Sequence, residues 1–168
     1  MKKVCFIGTG LMGFPMAKNL LKSVTKLQVF NRSISKAEPL KEFGAEISNT
    51  LSNVVKDANF IITMLTDDSA VDAIMSHSDF LDNLNSGSTV IDMSSVKPTT
   101  AIKYGNIFKL KNINYLDAPV SGGTIGAEEA SLAIMVGGEQ KIFDNSESLL
   151  KTMGNPTLVG PIGSGQVS

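Results

Sequence analysis

Three stretches of this sequence carry residue types that can do chemistry at their spacing. Gly8-Thr9-Gly10-Leu11-Met12-Gly13 spells G-x-G-x-x-G, directly after the apolar run Val4-Cys5-Phe6-Ile7 and at the opening of a segment with helical spacing. Glycines so placed allow a tight turn, let backbone approach a diphosphate, and let helix and strand pack closely. The helix start adds unpaired N–H groups and a partial positive charge. Pro15 fits there, because first-turn N–H groups have no helical partner to lose. In a loop the same letters can mean flexibility alone. With a strand before and a helix after, they point to a dinucleotide-binding turn, with Gly8, Thr9, Gly10, Leu11, Met12 and Gly13 as cofactor ligands.

The second stretch, Phe30-Asn31-Arg32-Ser33, falls at the end of the next apolar run. A site for NAD usually has Asp or Glu here, to accept from the ribose 2′-hydroxyl. This chain has none. A 2′-phosphate can instead pair with guanidinium and accept from Asn and Ser donors, so Asn31, Arg32 and Ser33 favour NADP, with NAD as the lesser possibility. A solvated turn arginine that tolerates either cofactor is the plainer reading. In the third stretch, Asp117-Ala118-Pro119-Val120-Ser121-Gly122-Gly123 follows Tyr115-Leu116. Ser121, Gly122 and Gly123 offer a hydroxyl and bare N–H groups suited to a carboxylate, although an ordinary tight turn reads the same way.

The elements that must position these residues alternate along the chain. Short apolar runs at 4–7, 27–30, 60–65, 89–93, 115–116, 132–136 and 157–159 read as strands covered on both faces. Between them lie helical patterns: Leu11, Met16, Leu20 and Leu21; Leu40 and Phe43, stopped by Gly44; Leu51, Val54 and Val55; Val71, Ala73, Ile74 and Met75; then 101–110 and 141–153, the last ended by Gly154-Asn155-Pro156. This alternation predicts an α/β fold, a Rossmann-like, doubly wound and mostly parallel sheet. The 160–165 tail reads as a connector.

Composition bounds the rest. One domain suits 168 residues. A formal charge of −1 gives no reason to expect nucleic acid or an anionic membrane as partner. One cysteine excludes an intrachain disulfide and a thiolate metal site. No apolar run reaches the ~20 residues that span a bilayer, and Met1-Lys2-Lys3 leads straight into the first strand, so a soluble, cytoplasmic protein is expected.

Residues 8–19 (GTGLMGFPMAKN) and 117–138 (DAPVSGGTIGAEEASLAIMVGG) resemble the β-hydroxyacid dehydrogenase family, which includes 3-hydroxyisobutyrate dehydrogenase and semialdehyde reductases. The resemblance runs over essentially the whole chain and extends to Met64-Leu65 and Asp92-Met93-Ser94-Ser95, with one departure at Ala130, where Gly is expected. It implies reversible hydride transfer between NAD(P) and a short 3-hydroxy acid or its semialdehyde. Met64, Leu65 and Ser95 would touch the cofactor, and Ser121, Gly122 and Gly123 would hold the substrate carboxylate. Residues 1–162 would form the cofactor domain and 163–168 the start of an interdomain helix. A helical second domain would follow, and the complete enzyme would be a homo-oligomer.

The family moves the hydroxyl proton with a Lys in a run resembling G-x-G-Q-x-x-K. Here Gly163-Ser164-Gly165-Gln166-Val167-Ser168 stops one residue before that position. No catalytic residue is therefore expected within these 168 residues, and the chain alone is expected to turn over hydroxy acid poorly. Lys97 is the best internal substitute, although a solvated turn lysine is the plainer reading. His77 reads as a surface residue, Cys5 as core, and the eight Met as packing. Other readings are a non-catalytic NAD(P)-binding sensor, an imine reductase and a 6-phosphogluconate dehydrogenase-like enzyme.

Overall fold

The computed structural model describes residues 2–167. Its strands are β1 (Val4–Ile7), β2 (Leu27–Phe30), β3 (Glu46–Ile47), β4 (Phe60–Thr63), β5 (Thr89–Asp92), β6 (Asn114–Asp117), β7 (Val120–Ser121), β8 (Leu132–Gly137) and β9 (Gly154–Gly160). Its α-helices are α1 (Gly13–Leu20), α2 (Leu51–Val55), α3 (Asp68–Met75), α4 (Ser78–Leu81), α5 (Pro98–Leu110), α6 (Gly123–Glu129), α7 (Gln140–Leu150) and α8 (Ser164–Val167). Two 3-10 turns, Ile34–Lys36 and Glu38–Phe43, follow β2.

One sheet runs β3-β2-β1-β4-β5-β6-β8-β7, with β9 on the far edge of β8. The strands from β3 to β6 are parallel; β8 is antiparallel to β6 and β7 and parallel to β9. The fold is the Rossmann-like α/β arrangement that the alternating pattern predicts. Adjacent residues of a strand point to opposite faces, so Val4 and Phe6 enter one core while Cys5 and Ile7 enter the other. That is why β1 has no polar alternation. One face is covered by α1, α6 and α7 through Met16, Leu20, Ala127, Phe143 and Leu150. The other is covered by α2 to α5, with Val54, Val71, Phe80, Tyr104 and Phe108 inside. Fully burying a side chain of this size contributes ~1.5–3 kcal/mol. Among the described residues, no helix is long and apolar enough to cross a membrane.

Four local expectations need correction. Gly154-Asn155-Pro156 does not end a helix: α7 stops at Leu150, and the three residues open β9. Proline is tolerated because β9 pairs on one side only, leaving an edge where no ladder donor is needed. Leu11 lies in the turn before α1 and is 85% exposed, so it is not on the helix's apolar face. Ser121-Gly122-Gly123 is the end of β7 and the entry to α6, not an isolated turn. The 160–165 tail is not a loose connector: it closes β9, and its Gly163 N–H is bonded to the buried Asp117. Ala130 caps α6 at φ +57°, a left-handed conformation that costs an L-residue ~1–2 kcal/mol relative to Gly.

Candidate functional site

The parallel strands all end on one edge of the sheet, and the order reverses between β1 and β4, where a crevice opens. A cleft of about 300 Å³ lies there, between the glycine turn, the end of β2, the residues after β4 and the side of α3. Gly8, Gly10, Asn31, Arg32, Met64 and Leu65 line it, together with Lys36, Thr66 and Ile74.

The three glycines have different physical reasons. Gly8 takes φ +105°, and a Cβ there would stand 2.1 Å from the Met64 carbonyl oxygen. A Cβ at Gly13 would stand 1.8 Å from the Gly8 carbonyl oxygen. Both are fixed by packing. Gly10 is not: a Cβ there meets no protein atom within 4 Å. The N–H groups of Gly10, Leu11 and Met12 make no hydrogen bond among the described residues, whereas the Thr9 N–H donates to Asn31 Oδ1 at 2.9 Å. Open space over a bare glycine, beside unpaired amides at a helix start, fits the diphosphate of a dinucleotide.

The end of β2 is built from within. Asn31 accepts from Thr9 through Oδ1 and donates through Nδ2 to the Ser33 carbonyl at 2.9 Å, so its amide ties strand to turn and keeps the second N–H of Nδ2 for a further acceptor. Ser33 Oγ lies 3.2 Å from Ser35 Oγ. Thr9 Oγ1 donates to the Lys36 carbonyl at 3.0 Å, which brings a second cation to the cleft. Arg32 is exposed, and neither it nor Lys36 forms an ion pair among the described residues. Sequence reasoning missed Lys36; a basic residue four positions after Arg32, at the end of a 3-10 turn, was the available signal.

On the far side of the crevice, β7 pairs with the start of β8, Ser121 opposite Ala133, while β6 ends at Asp117 opposite Gly137. Ser121 therefore stands four residues, or roughly 13 Å, beyond the end of β6. Gly122 and Gly123 follow it, exposed. This arm is steadied from α1: the buried Asn19 donates to the Ala127 carbonyl at 2.7 Å and satisfies the last turn of α6. Asn19 joins the two motifs across 108 residues.

Between the two poles lie buried carboxyls. Asp92 is fully buried; its Oδ1 accepts from Thr63 Oγ1 at 2.9 Å and the Ser94 N–H at 3.1 Å, while Oδ2 has no partner. Burial pushes its pKa up to about 6, against those hydrogen bonds. Asp117 is also raised by burial, although the N–H groups of Gly163 and Gln166 oppose the shift. Ser94 is buried and accepts the Leu65 N–H at 2.8 Å, while Ser95 is exposed at the edge.

The remaining candidates stand apart. Lys97 caps α5, its N–H donating to Asp68 Oδ2 at 3.0 Å, and it does not line the cleft. The Thr100 hydroxyl and that N–H hold the Asp68 carboxyl below its ordinary range. His77 caps α4 and accepts the Asp79 N–H at 3.1 Å. Cys5 is fully buried, and burial pushes its thiol far above the ordinary range. Among the described residues, no group of three or more His, Cys, Asp or Glu could hold a metal ion.

The profile of the NAD binding domain of 6-phosphogluconate dehydrogenase matches residues 3–163. The chain belongs to this family. It is a nicotinamide-dinucleotide-binding domain of the 3-hydroxyisobutyrate dehydrogenase type. Over 167 residues it is 40% identical to an uncharacterised oxidoreductase of Bacillus subtilis, covering 98% of this chain and 58% of that protein. It is 38% identical to a probable mitochondrial 3-hydroxyisobutyrate dehydrogenase of Dictyostelium discoideum, covering 99% of this chain and 53% of the relative. A solved Mycobacterium tuberculosis 3-hydroxyisobutyrate dehydrogenase with L-serine superposes with a TM-score of 0.94 at 30% identity, over 99% of this chain and 57% of that one. The chain thus spans about half the length of the proteins it matches.

Proposed function

We propose that this domain binds NADP(H) in preference to NAD(H) and serves an oxidoreductase acting on a short 3-hydroxy acid or its semialdehyde. The observation that carries the cofactor preference is the end of β2. No carboxylate stands at Asn31, Arg32 or Ser33 to accept from a 2′-hydroxyl, and the two cations Arg32 and Lys36 line the cleft without ion pairs among the described residues. A dianionic 2′-phosphate suits that pair, and a neutral ribose does not need it.

When bound, the nicotinamide supplies the hydride chemistry. The amides of Gly10, Leu11 and Met12 hold the diphosphate, and Gly10 leaves it room. Met64 and Leu65 wall the cleft beyond the turn. Ser121 donates its hydroxyl, and Gly122 and Gly123 their N–H groups, to the substrate carboxylate, so that the hydroxyl-bearing carbon faces the crevice. In this reading the hydroxyl proton falls to a Lys in the position after Ser168, outside these residues. Residues 1–162 form the cofactor domain in this reading, and α8 begins the helix that carries that Lys.

The test is Arg32→Ala, titrated with both cofactors. Loss of a charge-assisted contact costs roughly 10- to 100-fold in NADPH affinity, while NADH affinity changes little. Equal losses for the two would refute the preference. Assay of the protein in its complete form on a panel of C3–C4 semialdehydes tests the substrate class.

A further inference from the structure

Resting on the dinucleotide reading of the cleft, we infer that Gln166 is a positioning residue that locks the nicotinamide side of the crevice to the arm bearing Ser121. A dinucleotide straddles the point where strand order reverses. The groups that read the ribose follow β2, so the adenosine half lies on the β1–β2 side and the other half crosses the ends of β4, β5 and β6. Beyond the sheet ladder that already joins these strands, the segments that follow them are tied together by side-chain bonds, and Gln166 links the one after β5 to the end of β6.

The side-chain amide of Gln166 pairs with the backbone after β5 as a neighbouring strand would. Its Nε2 donates to the Ser94 carbonyl at 2.9 Å, and its Oε1 accepts the Val96 N–H at 3.0 Å. Only a planar group carrying one donor and one acceptor satisfies both, which selects Gln over Glu or Lys. Its own N–H donates to Asp117 Oδ2 at 3.2 Å, and Asp117 heads the segment leading to Ser121. Asp117 Oδ1 takes the Gly163 N–H at 2.7 Å, so one buried carboxylate holds the start of α8 at two points. From Ser94 the chain continues to the cleft wall, because its Oγ accepts the Leu65 N–H at 2.8 Å. Leu65 after β4, Ser94 to Val96 after β5 and Asp117 at the end of β6 are thus linked in one chain of hydrogen bonds, with the Gln166 side chain on the β5 segment, its backbone N–H on Asp117 and Ser94 Oγ on Leu65. There is no slack in α8: a Cβ at Gly165 would stand 2.5 Å from the Met135 carbonyl oxygen and 2.8 Å from Asp117 Oδ2. Each end of the Gln166 amide holds a backbone partner, and the role inferred for it runs through these partners.

The experiment titrates the chain and its variants with NADPH and, separately, with 2′,5′-ADP, which shares only the adenosine half. Gln166→Ala removes two hydrogen bonds and is expected to weaken NADPH about tenfold. Its 2′,5′-ADP affinity is expected to stay within about twofold of the unaltered chain. Ser94→Ala breaks the next link and is expected to give the same selective loss. Gln166→Glu keeps the acceptor for Val96 but not the donor to Ser94, and serves if the alanine variant melts below the assay temperature. A parallel loss of both ligands, or no loss of either, overturns the inference while leaving the cleft reading intact. An unaltered folded chain that binds neither ligand overturns the cleft reading and the inference together.

Discussion

Replacing each glycine of the first turn by alanine separates what packing demands from what a ligand demands. At Gly8 the φ of +105° costs an L-residue ~1–3 kcal/mol, and the methyl carbon would sit 2.1 Å from the Met64 carbonyl oxygen. Relief requires moving the end of β4, an overpacking cost of ~1–3 kcal/mol more. At ~2–4 °C per kcal/mol for a chain of this length, Gly8→Ala should lower the melting temperature by roughly 10 °C. Gly10→Ala meets no atom within 4 Å and lies outside the left-handed region. Its melting temperature should hold or rise by ~1–3 °C, because alanine restricts the unfolded chain. Its NADPH affinity should nevertheless fall at least ~10-fold, since the methyl occupies the diphosphate's space. Circular dichroism gives the melts. NADPH emission gives the affinities without interference from tryptophan, of which the chain has none. A Gly10→Ala variant that binds NADPH like the unaltered chain would refute the reasoning about the cradle, and a Gly8→Ala variant with an unchanged melt would refute the reasoning about packing.

Two further outcomes follow from buried groups. With its pKa raised to about 6, Asp92 keeps its proton in the folded chain while the unfolded chain ionises near pH 4, so stability should fall as pH rises from 4 to 6 and level off above. That differential is on the order of 3 kcal/mol at most; Asp92→Asn should flatten melting temperature against pH in that window, and an unchanged slope would count against a buried neutral carboxyl. Cys5, fully buried with its thiol pKa raised, should resist alkylation at pH 8 in the folded chain and react after denaturation, and rapid reaction of the native protein would contradict its burial.

The glycine turn was legible in the sequence because few residues other than glycine satisfy a positive φ, a helix–strand contact and an open cradle within six positions. Arg32 was legible for a similar local reason, the missing acid after β2. Asn31 reads from the sequence as a ligand donor, and what the sequence does not reveal is that its amide also braces Thr9 and Ser33. Lys36 reaches the cleft only because a 3-10 turn folds back, a geometry that leaves no periodic signal. Asn19, Asp117 and Gln166 work through partners 46 to 108 residues away, and long-range pairing is not written in local patterns. The strands β3 and β7 are two residues long, too short to show alternation, and β9 was half hidden by Pro156, which an edge strand accepts.

The central claim is that the crevice where the strand order reverses holds a nicotinamide dinucleotide. Isothermal titration of the unaltered chain with NADPH and with NADH tests it most directly. Saturable one-to-one binding is predicted, with NADPH the tighter ligand; no heat from either nucleotide, with a sample whose cooperative melt shows it folded, would contradict it.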